Sequence, residues 1–285
     1  MSGLTESDTS HFAQTKKWRL HYNEAGTGHP VILLHGSGPG ASGWSNFKTT
    51  LEGLHGDFRV IAPDMPGWGK SDAAPPDDRD HVEALTLLLD ELGIERAAIV
   101  GNSMGGQTAL RFAVEHPDRI THLIPMGAPG PGPNIFSGGQ PRASEGMRVL
   151  LAAYRDPSPE NFKALVSVMA YDEVFASDAL AAERSASALA NPEHLQNFLD
   201  AIAQGTPAGP ASAVISAQQQ LSQIQTPTLI VHGRDDRTLP YENALRLLAH
   251  IPDSRVLLIN KCGHWAQLEH ADEFNRAVAS FITNH

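Results

Sequence analysis

Residues 101–105 read Gly101-Asn102-Ser103-Met104-Gly105, directly after an apolar run at 97–100 and ahead of a helical pattern that starts near Gln107. A G-x-S-x-G sequence at a strand-to-helix junction describes a sharp bend that pushes its serine out above a sheet. The two glycines let helix and strand approach without Cβ clashes. The serine then sits at the positive end of the following helix. A glycine-rich turn carrying an ordinary serine is the bland alternative, and the rest of the chain decides between them.

The chain has 285 residues, enough for one elaborated α/β domain or for two domains. Short runs at 18–23, 31–34, 59–62, 97–100, 120–126, 228–231 and 255–259 are mostly continuously apolar. Strands covered on both faces read this way, so the pattern predicts a mainly parallel, doubly covered sheet. Segments 81–92, 107–116, 241–250 and 272–282 place apolar residues three and four apart, the helical spacing. The alternation breaks near Ala128. A stretch rich in Gly and Pro at 129–140 leads into helical patterns at 144–154, 159–169, 177–189 and 192–203, with no convincing strand. A second loose stretch at 205–210 precedes the return to alternation near Thr226. We therefore expect a helical cap over 129–221, inserted into a core made of 1–128 and 222–285.

Net charge is −11 with no basic cluster, which disfavours a nucleic-acid partner. Cys262 is the single cysteine, so no intrachain disulfide can form. Residues 1–14 are polar, with no apolar stretch long enough for a signal peptide or a membrane span. A cytoplasmic, reducing setting is the expectation.

A serine nucleophile needs a base. Of fourteen histidines, His264 is best placed, because it follows the last expected strand in Lys261-Cys262-Gly263-His264-Trp265. Loops at the carboxyl ends of parallel strands are where such sheets hold ligands. An orienting acid should fall between serine and histidine in chain order. The run at 228–231 leads into His232-Gly233-Arg234-Asp235-Asp236, and spacing alone does not choose between Asp235 and Asp236. The aspartate would fix the imidazole tautomer, and the histidine would take the serine proton and later return it. His264 as a surface histidine and the aspartates as a turn or helix cap are the bland alternatives; three matches in the required order weigh against them.

An oxyanion site needs two backbone donors, expected from the amide of Met104 and that of Ser37 in the loop His35-Gly36-Ser37-Gly38-Pro39-Gly40. His35 is read as holding that loop by hydrogen bonds, Asp64 as stabilising a turn, and Cys262 as a small packing residue. No histidine or carboxylate pair has metal-ligand spacing, so neither metal nor redox cofactor is expected.

The stretch from His35 to Asn46 resembles the oxyanion loop of the meta-cleavage product hydrolases, α/β-hydrolases that cut carbon–carbon bonds in ring-opened aromatic catabolites. Gly101-Asn102-Ser103-Met104-Gly105-Gly106 resembles their nucleophile bend. Gly233-Arg234-Asp235-Asp236-Arg237 and Lys261-Cys262-Gly263-His264-Trp265-Ala266-Gln267 resemble their acid and histidine loops. The likeness runs from about Tyr22 to Phe281 and is weakest across the cap. It implies the α/β-hydrolase fold with a helical cap after the sixth strand, Ser103 as nucleophile, Asp236 as acid and His264 as base. Register from Asn191-Pro192-Glu193-His194-Leu195 implies that Arg184 holds the substrate carboxylate, with Asn102, Asn46, Trp265 and Gly38 lining the same polar subsite. Without that register, Arg184 would read as a solvated helix residue.

Between Ala203 and Ser222 the chain is longer and richer in Gly, Pro and Ala than the resemblance leads one to expect, and bulky aromatics are not evident there. The apolar subsite is then expected from Met147, Leu150, Met169 and Leu239, which read equally well as plain cap core. The implied substrate is a small 2-hydroxy-6-oxohexa-2,4-dienoate, and the implied assembly a homo-oligomer. Two rivals remain open: an esterase sharing the triad, and a ligand-sensing protein of the same fold. Turnover of simple esters but not dienoates would favour the first; binding without prompt product release would favour the second.

Overall fold

Eight strands join in one sheet in the computed structural model, which describes residues 3–132, 144–204 and 218–285. They are β1 (Ser10–Gln14), β2 (Arg19–Ala25), β3 (His29–Leu34), β4 (Phe58–Pro63), β5 (Ala97–Asn102), β6 (Ile120–Met126), β7 (Thr228–Gly233) and β8 (Ser254–Ile259). Their order is β1-β2-β4-β3-β5-β6-β7-β8. The β1–β2 and β2–β4 pairs are antiparallel and the others parallel.

Parallel neighbours need long crossovers, and helices supply them. After the short α1 (Glu6–Thr9), helix α2 (Gly43–Leu54) follows β3, α3 (His81–Glu91) precedes β5, and α4 (Met104–Glu115) joins β5 to β6. Between β6 and β7 lie α5 (Glu145–Arg155), α6 (Pro159–Met169), α7 (Asp178–Leu189), α8 (Pro192–Ala203) and the one-turn α9 (Gln218–Leu221). Helix α10 (Glu242–His250) joins β7 to β8, and α11 (Ala266–Glu269) and α12 (Ala271–Asn284) follow. Among the described residues, no helix is long and apolar enough to cross a membrane. The Gly/Pro-rich stretches expected at the cap borders fall largely on 133–143 and 205–217, outside the described residues.

The continuous apolar runs have a simple cause: successive side chains of a strand enter opposite layers. Val31 and Leu33 of β3 pack with Phe47, Leu51 and Phe274 of α2 and α12. Ile32 and Leu34 pack with Leu85, Leu110 and Phe112 of α3 and α4. A third apolar cluster gathers α5, α6, α7 and α8, together with Ala41, Trp68 and Trp265 from loops of the sheet and Met104 from the first turn of α4. That contact seats the helical layer on the loops that follow β3, β4 and β8 and on the start of α4.

Strand β1, helix α2 and the one-turn helices α1, α9 and α11 were not anticipated. Strand β1 is an edge strand whose only fully buried residue is Ala13, so it lacks an apolar pattern. Helix α2 opens on a capping box of Ser42 and Ser45, not the usual Ser/Thr with Glu/Gln, and is kinked at Phe47.

The sheet order reverses at β3, whose neighbours are β4 and β5, and such switch points are where ligands bind. Leu34 pairs with Gly101 there, so the loops after β3 and β5 leave the sheet side by side. Helix α4 presses against this point. A Cβ on Gly105 would fall within the carbonyl of Leu34, and one on Gly101 within the backbone of Gly105. Gly105→Ala should therefore cost about 1–3 kcal/mol, the usual penalty of overpacking. Chemical denaturation measures this, and an unchanged unfolding midpoint would contradict the tight contact.

Candidate active site

Ser103 takes φ 53° and ψ −111° at the start of α4, a backbone region that costs a residue with a side chain about 1–3 kcal/mol. Its N–H donates to Met126 O at 2.8 Å and its carbonyl accepts from Gln107 N at 2.9 Å, so both sides of the strained residue are held. Met104 opens the helix, and its amide belongs to the first turn, whose donors have no intrahelical partner.

His264 is tied down at three points. Its Nδ1 meets Asp236 Oδ2 at 2.6 Å, its N–H donates to Met169 O at 2.6 Å, and its carbonyl accepts from Asn102 Nδ2 at 3.2 Å. The other oxygen of Asp236 accepts from the amides of Thr238 (2.7 Å) and Leu239 (2.9 Å). His232 Nε2 donates to Leu239 O at 2.7 Å and lies 3.3 Å from Asp236 Oδ2. Burial alone would raise the Asp236 carboxyl. The His264 and His232 imidazoles and their hydrogen bonds outweigh that cost and hold it well below the usual carboxylate range. An ionised Asp236 can only accept, so His264 Nδ1 carries the proton and Nε2 is left as the basic nitrogen. Asp235, in contrast, donates its N–H to Cys262 O at 2.9 Å, and its buried Oδ2 has no partner among the described residues.

The loop after β3 is pinned from several sides. Met65 N–H donates to His35 Nε2 at 2.9 Å, which forces the His35 proton onto Nδ1, and Nδ1 donates to Gly36 O at 2.8 Å. His35 is fully buried, and desolvation lowers its affinity for a second proton. Asn46 Oδ1 accepts from Gly36 N at 3.4 Å. Tyr154 Oη donates to Ser37 O at 2.5 Å, and Trp68 Nε1 donates to Gly38 O at 3.1 Å. Asp64 holds the neighbouring turn, accepting from the amides of Gly43 (2.7 Å) and Lys70 (2.8 Å).

One cavity brings these parts together. Ser37, Gly38, Asn46, Asn102, Ser103, Arg184, His264 and Trp265 line it, along with Met147, Leu150, Leu165, Met169 and Thr238. No hydrogen bond joins Ser103 to His264 among the described residues, although both face this space. The Arg184 guanidinium lies 4.7 Å from the Trp265 ring centre, a cation–π contact. Its Nε is buried without a hydrogen-bond partner, and it forms no ion pair among the described residues. Burial draws the guanidinium down to about 10, against a smaller opposing pull from Glu183. It is therefore cationic at neutral pH, and among the described residues no carboxylate is within ion-pair distance of it. Asn102 Oδ1 is likewise buried and unpartnered.

Of the four residues expected for the apolar subsite, Met147, Leu150 and Met169 line this cavity and Leu239 does not. The chain from 236 to 239 curls around the carboxylate and uses the Leu239 backbone to bind Asp236 and His232. Leu165 and Thr238 line the cavity instead, with Thr238 Oγ1 3.2 Å from Met169 Sδ. The open space is about 50 Å³, far below the roughly 300–1,000 Å³ of a typical ligand site. The unbranched Met147 and Met169 side chains are the ones best able to give way.

The chain matches the alpha/beta hydrolase family over residues 31–277. It is 41% identical to the 2-hydroxy-6-oxononadienedioate/2-hydroxy-6-oxononatrienedioate hydrolase of Cupriavidus pinatubonensis, covering 100% of this chain and 99% of that one. It is 41% identical to the 2-hydroxy-6-oxo-6-phenylhexa-2,4-dienoate hydrolase of Burkholderia cepacia, with both chains covered in full (100%). A solved meta-cleavage product hydrolase from Pseudomonas fluorescens IP01 superposes with a TM-score of 0.85 at 31% identity, covering 97% of this chain and 98% of that chain.

Two measurements check these electrostatics. A carboxyl lowered on folding adds stability above its unfolded value near 3.9 and loses it as pH falls towards the folded value. Asp236→Asn should thus be most destabilised relative to wild type at neutral pH. The gap should narrow below about pH 4 in denaturant titrations, and a pH-independent gap would contradict the assignment. Cys262 is fully buried, and burial, reinforced by Glu269 and Asp236, pushes its thiol up. Thiol reagents should modify it only on unfolding; rapid labelling of the folded protein would show the contrary.

Proposed function

The chain belongs to the meta-cleavage product hydrolases of the alpha/beta hydrolase family, and on that premise we propose that it hydrolyses the carbon–carbon bond of 2-hydroxy-6-oxohexa-2,4-dienoate-type compounds. The products are 2-hydroxypenta-2,4-dienoate and a carboxylic acid. The observation that carries this reading is the uncompensated Arg184 guanidinium, stacked on Trp265 in the same cavity as Ser103 and His264. A simple ester offers nothing for such a cation, whereas an oxo-acid tail offers a carboxylate.

In this account the helices between β6 and β7 form the cap, and Arg184, Asn102 and Trp265 bind the carboxylate end. Remote binding energy there orients the distant ketone over Ser103. The dienol first ketonises, which places a proton on C5, the carbon that will depart. Ser103 Oγ then attacks the C6 carbonyl while His264 Nε2 takes its proton. The amides of Ser37 and Met104 hold the developing oxyanion, each donor supplying about 2.7–4 kcal/mol of transition-state stabilisation. Collapse breaks C5–C6, and the bonding pair passes into a dienolate conjugated with the C2 oxygen, which takes the proton held on His264 and restores the neutral imidazole. Water, activated by His264, hydrolyses the acyl-serine. Met147, Leu150, Leu165 and Met169 receive the C6 substituent.

A panel of yellow ring-fission products with methyl, alkyl and aryl groups at C6 tests the reading by bleaching of the dienolate. Ser103→Ala should abolish hydrolysis. Arg184→Ala should cut kcat/KM on the dienoates by about a hundredfold, matching the loss of one charged bidentate contact. The same variant should hydrolyse p-nitrophenyl acetate at close to the wild-type rate. Brisk ester turnover with no reaction on any dienoate would replace this proposal with an esterase.

A further inference from the structure

Ser37 stands between two peptide planes, and each is held by its carbonyl. The Gly36 carbonyl accepts from His35 Nδ1 at 2.8 Å, and the Ser37 carbonyl accepts from Tyr154 Oη at 2.5 Å. A trans peptide is planar, with its N–H directed opposite its C=O. The Ser37 N–H belongs to the plane whose Gly36 carbonyl His35 holds, and Tyr154 holds the next plane, so its bond limits rotation of the first about the Ser37 Cα. One hold comes from the sheet. The other comes from α5, in the helical layer.

The same layer touches the active-site loops at two more points. A Cβ on Gly40 would stand 2.6 Å from Ala188 N and 3.1 Å from Arg184 O, so α7 lies backbone to backbone on the loop beside the carboxylate-binding arginine. Met169 O, at the end of α6, accepts from His264 N at 2.6 Å. Tyr154 itself is buried and stacked on Phe198 of α8, with ring centres 3.7 Å apart and planes 5° from parallel. The ring is thus rigidly placed within the layer, and its hydroxyl is the part that reaches out to the loop.

We propose that Tyr154 is a positioning residue that makes the oxyanion donor at Ser37 depend on the docking of the helical layer. When the layer shifts, the Ser37 carbonyl loses its donor and the loop relaxes; when it seats, one movement aligns the Ser37 amide and sets Arg184 over the substrate tail. The inference rests on the assignment of Ser37 as an oxyanion donor.

Tyr154→Phe tests it, because that change deletes one hydroxyl and keeps the stacked ring. The 6-phenyl dienoate serves as probe, with binding measured in the Ser103→Ala background from the dienolate absorbance. We expect kcat to fall by about tenfold or more, part of the ~10²–10³ lost with a whole donor. KM and the dissociation constant should change less than about twofold, the split expected when an interaction acts only in the transition state. Hydrolysis of p-nitrophenyl acetate should slow alike, and hydrogen exchange at the Ser37 amide, followed by NMR, should quicken. An unchanged kcat overturns the inference, as does a loss that follows weaker binding or slower exchange than in wild type. If Ser103→Ala remains active, the underlying mechanism fails. If it is inactive while Tyr154→Phe is as fast as wild type, only the role of Tyr154 fails.

Discussion

Everything at this site depends on how closely α4 can approach the ends of β3 and β5. Gly101 and Gly105 remove the two side chains that would hold them apart, and the chain between is forced through a positive φ at Ser103. The strain is borne by one residue and held by its bonds to Met126 and Gln107. The reward is geometric: a hydroxyl above the sheet, an adjacent helix amide, and the β3 loop alongside.

Charge is then distributed sparingly. Asp236 is buried but satisfied, with two amides on one oxygen and two imidazoles near the other. Arg184 is the opposite case, a cation facing the cavity with an aromatic ring beside it and no ion-paired carboxylate among the described residues. An ion pair within the protein would have neutralised it before a ligand arrived. Leaving it uncompensated costs stability, and the proposed mechanism recovers that cost when the dienoate carboxylate binds.

Strands β3, β5 and β7 were legible because both faces of each are covered, which leaves near-continuous apolar runs; β8 lies at the sheet edge with Leu258 exposed, yet keeps an apolar run. Strand β6 and helices α6 and α8 fall where the pattern puts them. Strand β1 was not legible, since an edge strand with one buried residue has no such pattern. Ser103 and His264 stand out because each follows a strand in a fixed chain order, whereas that order left Asp235 and Asp236 open and only the resemblance chose Asp236. Thr238 and Leu165 carry no motif, and the backbone contacts of Leu239 with Asp236 and His232 leave no trace in the pattern. Tyr154 lies 117 positions from Ser37 in a helix that reads only as amphipathic, so its contact exists in space and nowhere in the pattern.

The central claim is that one cavity holds the dienoate by its carboxylate and presents its ketone to the bend. A crystal structure of Ser103→Ala with 2-hydroxy-6-oxo-6-phenylhexa-2,4-dienoate bound tests this most directly. The account predicts the carboxylate within hydrogen-bond distance of Arg184, C6 over residue 103, and the phenyl group among Met147, Leu150, Leu165 and Met169. A dienoate bound the other way round, with its carboxylate away from Arg184, would contradict it.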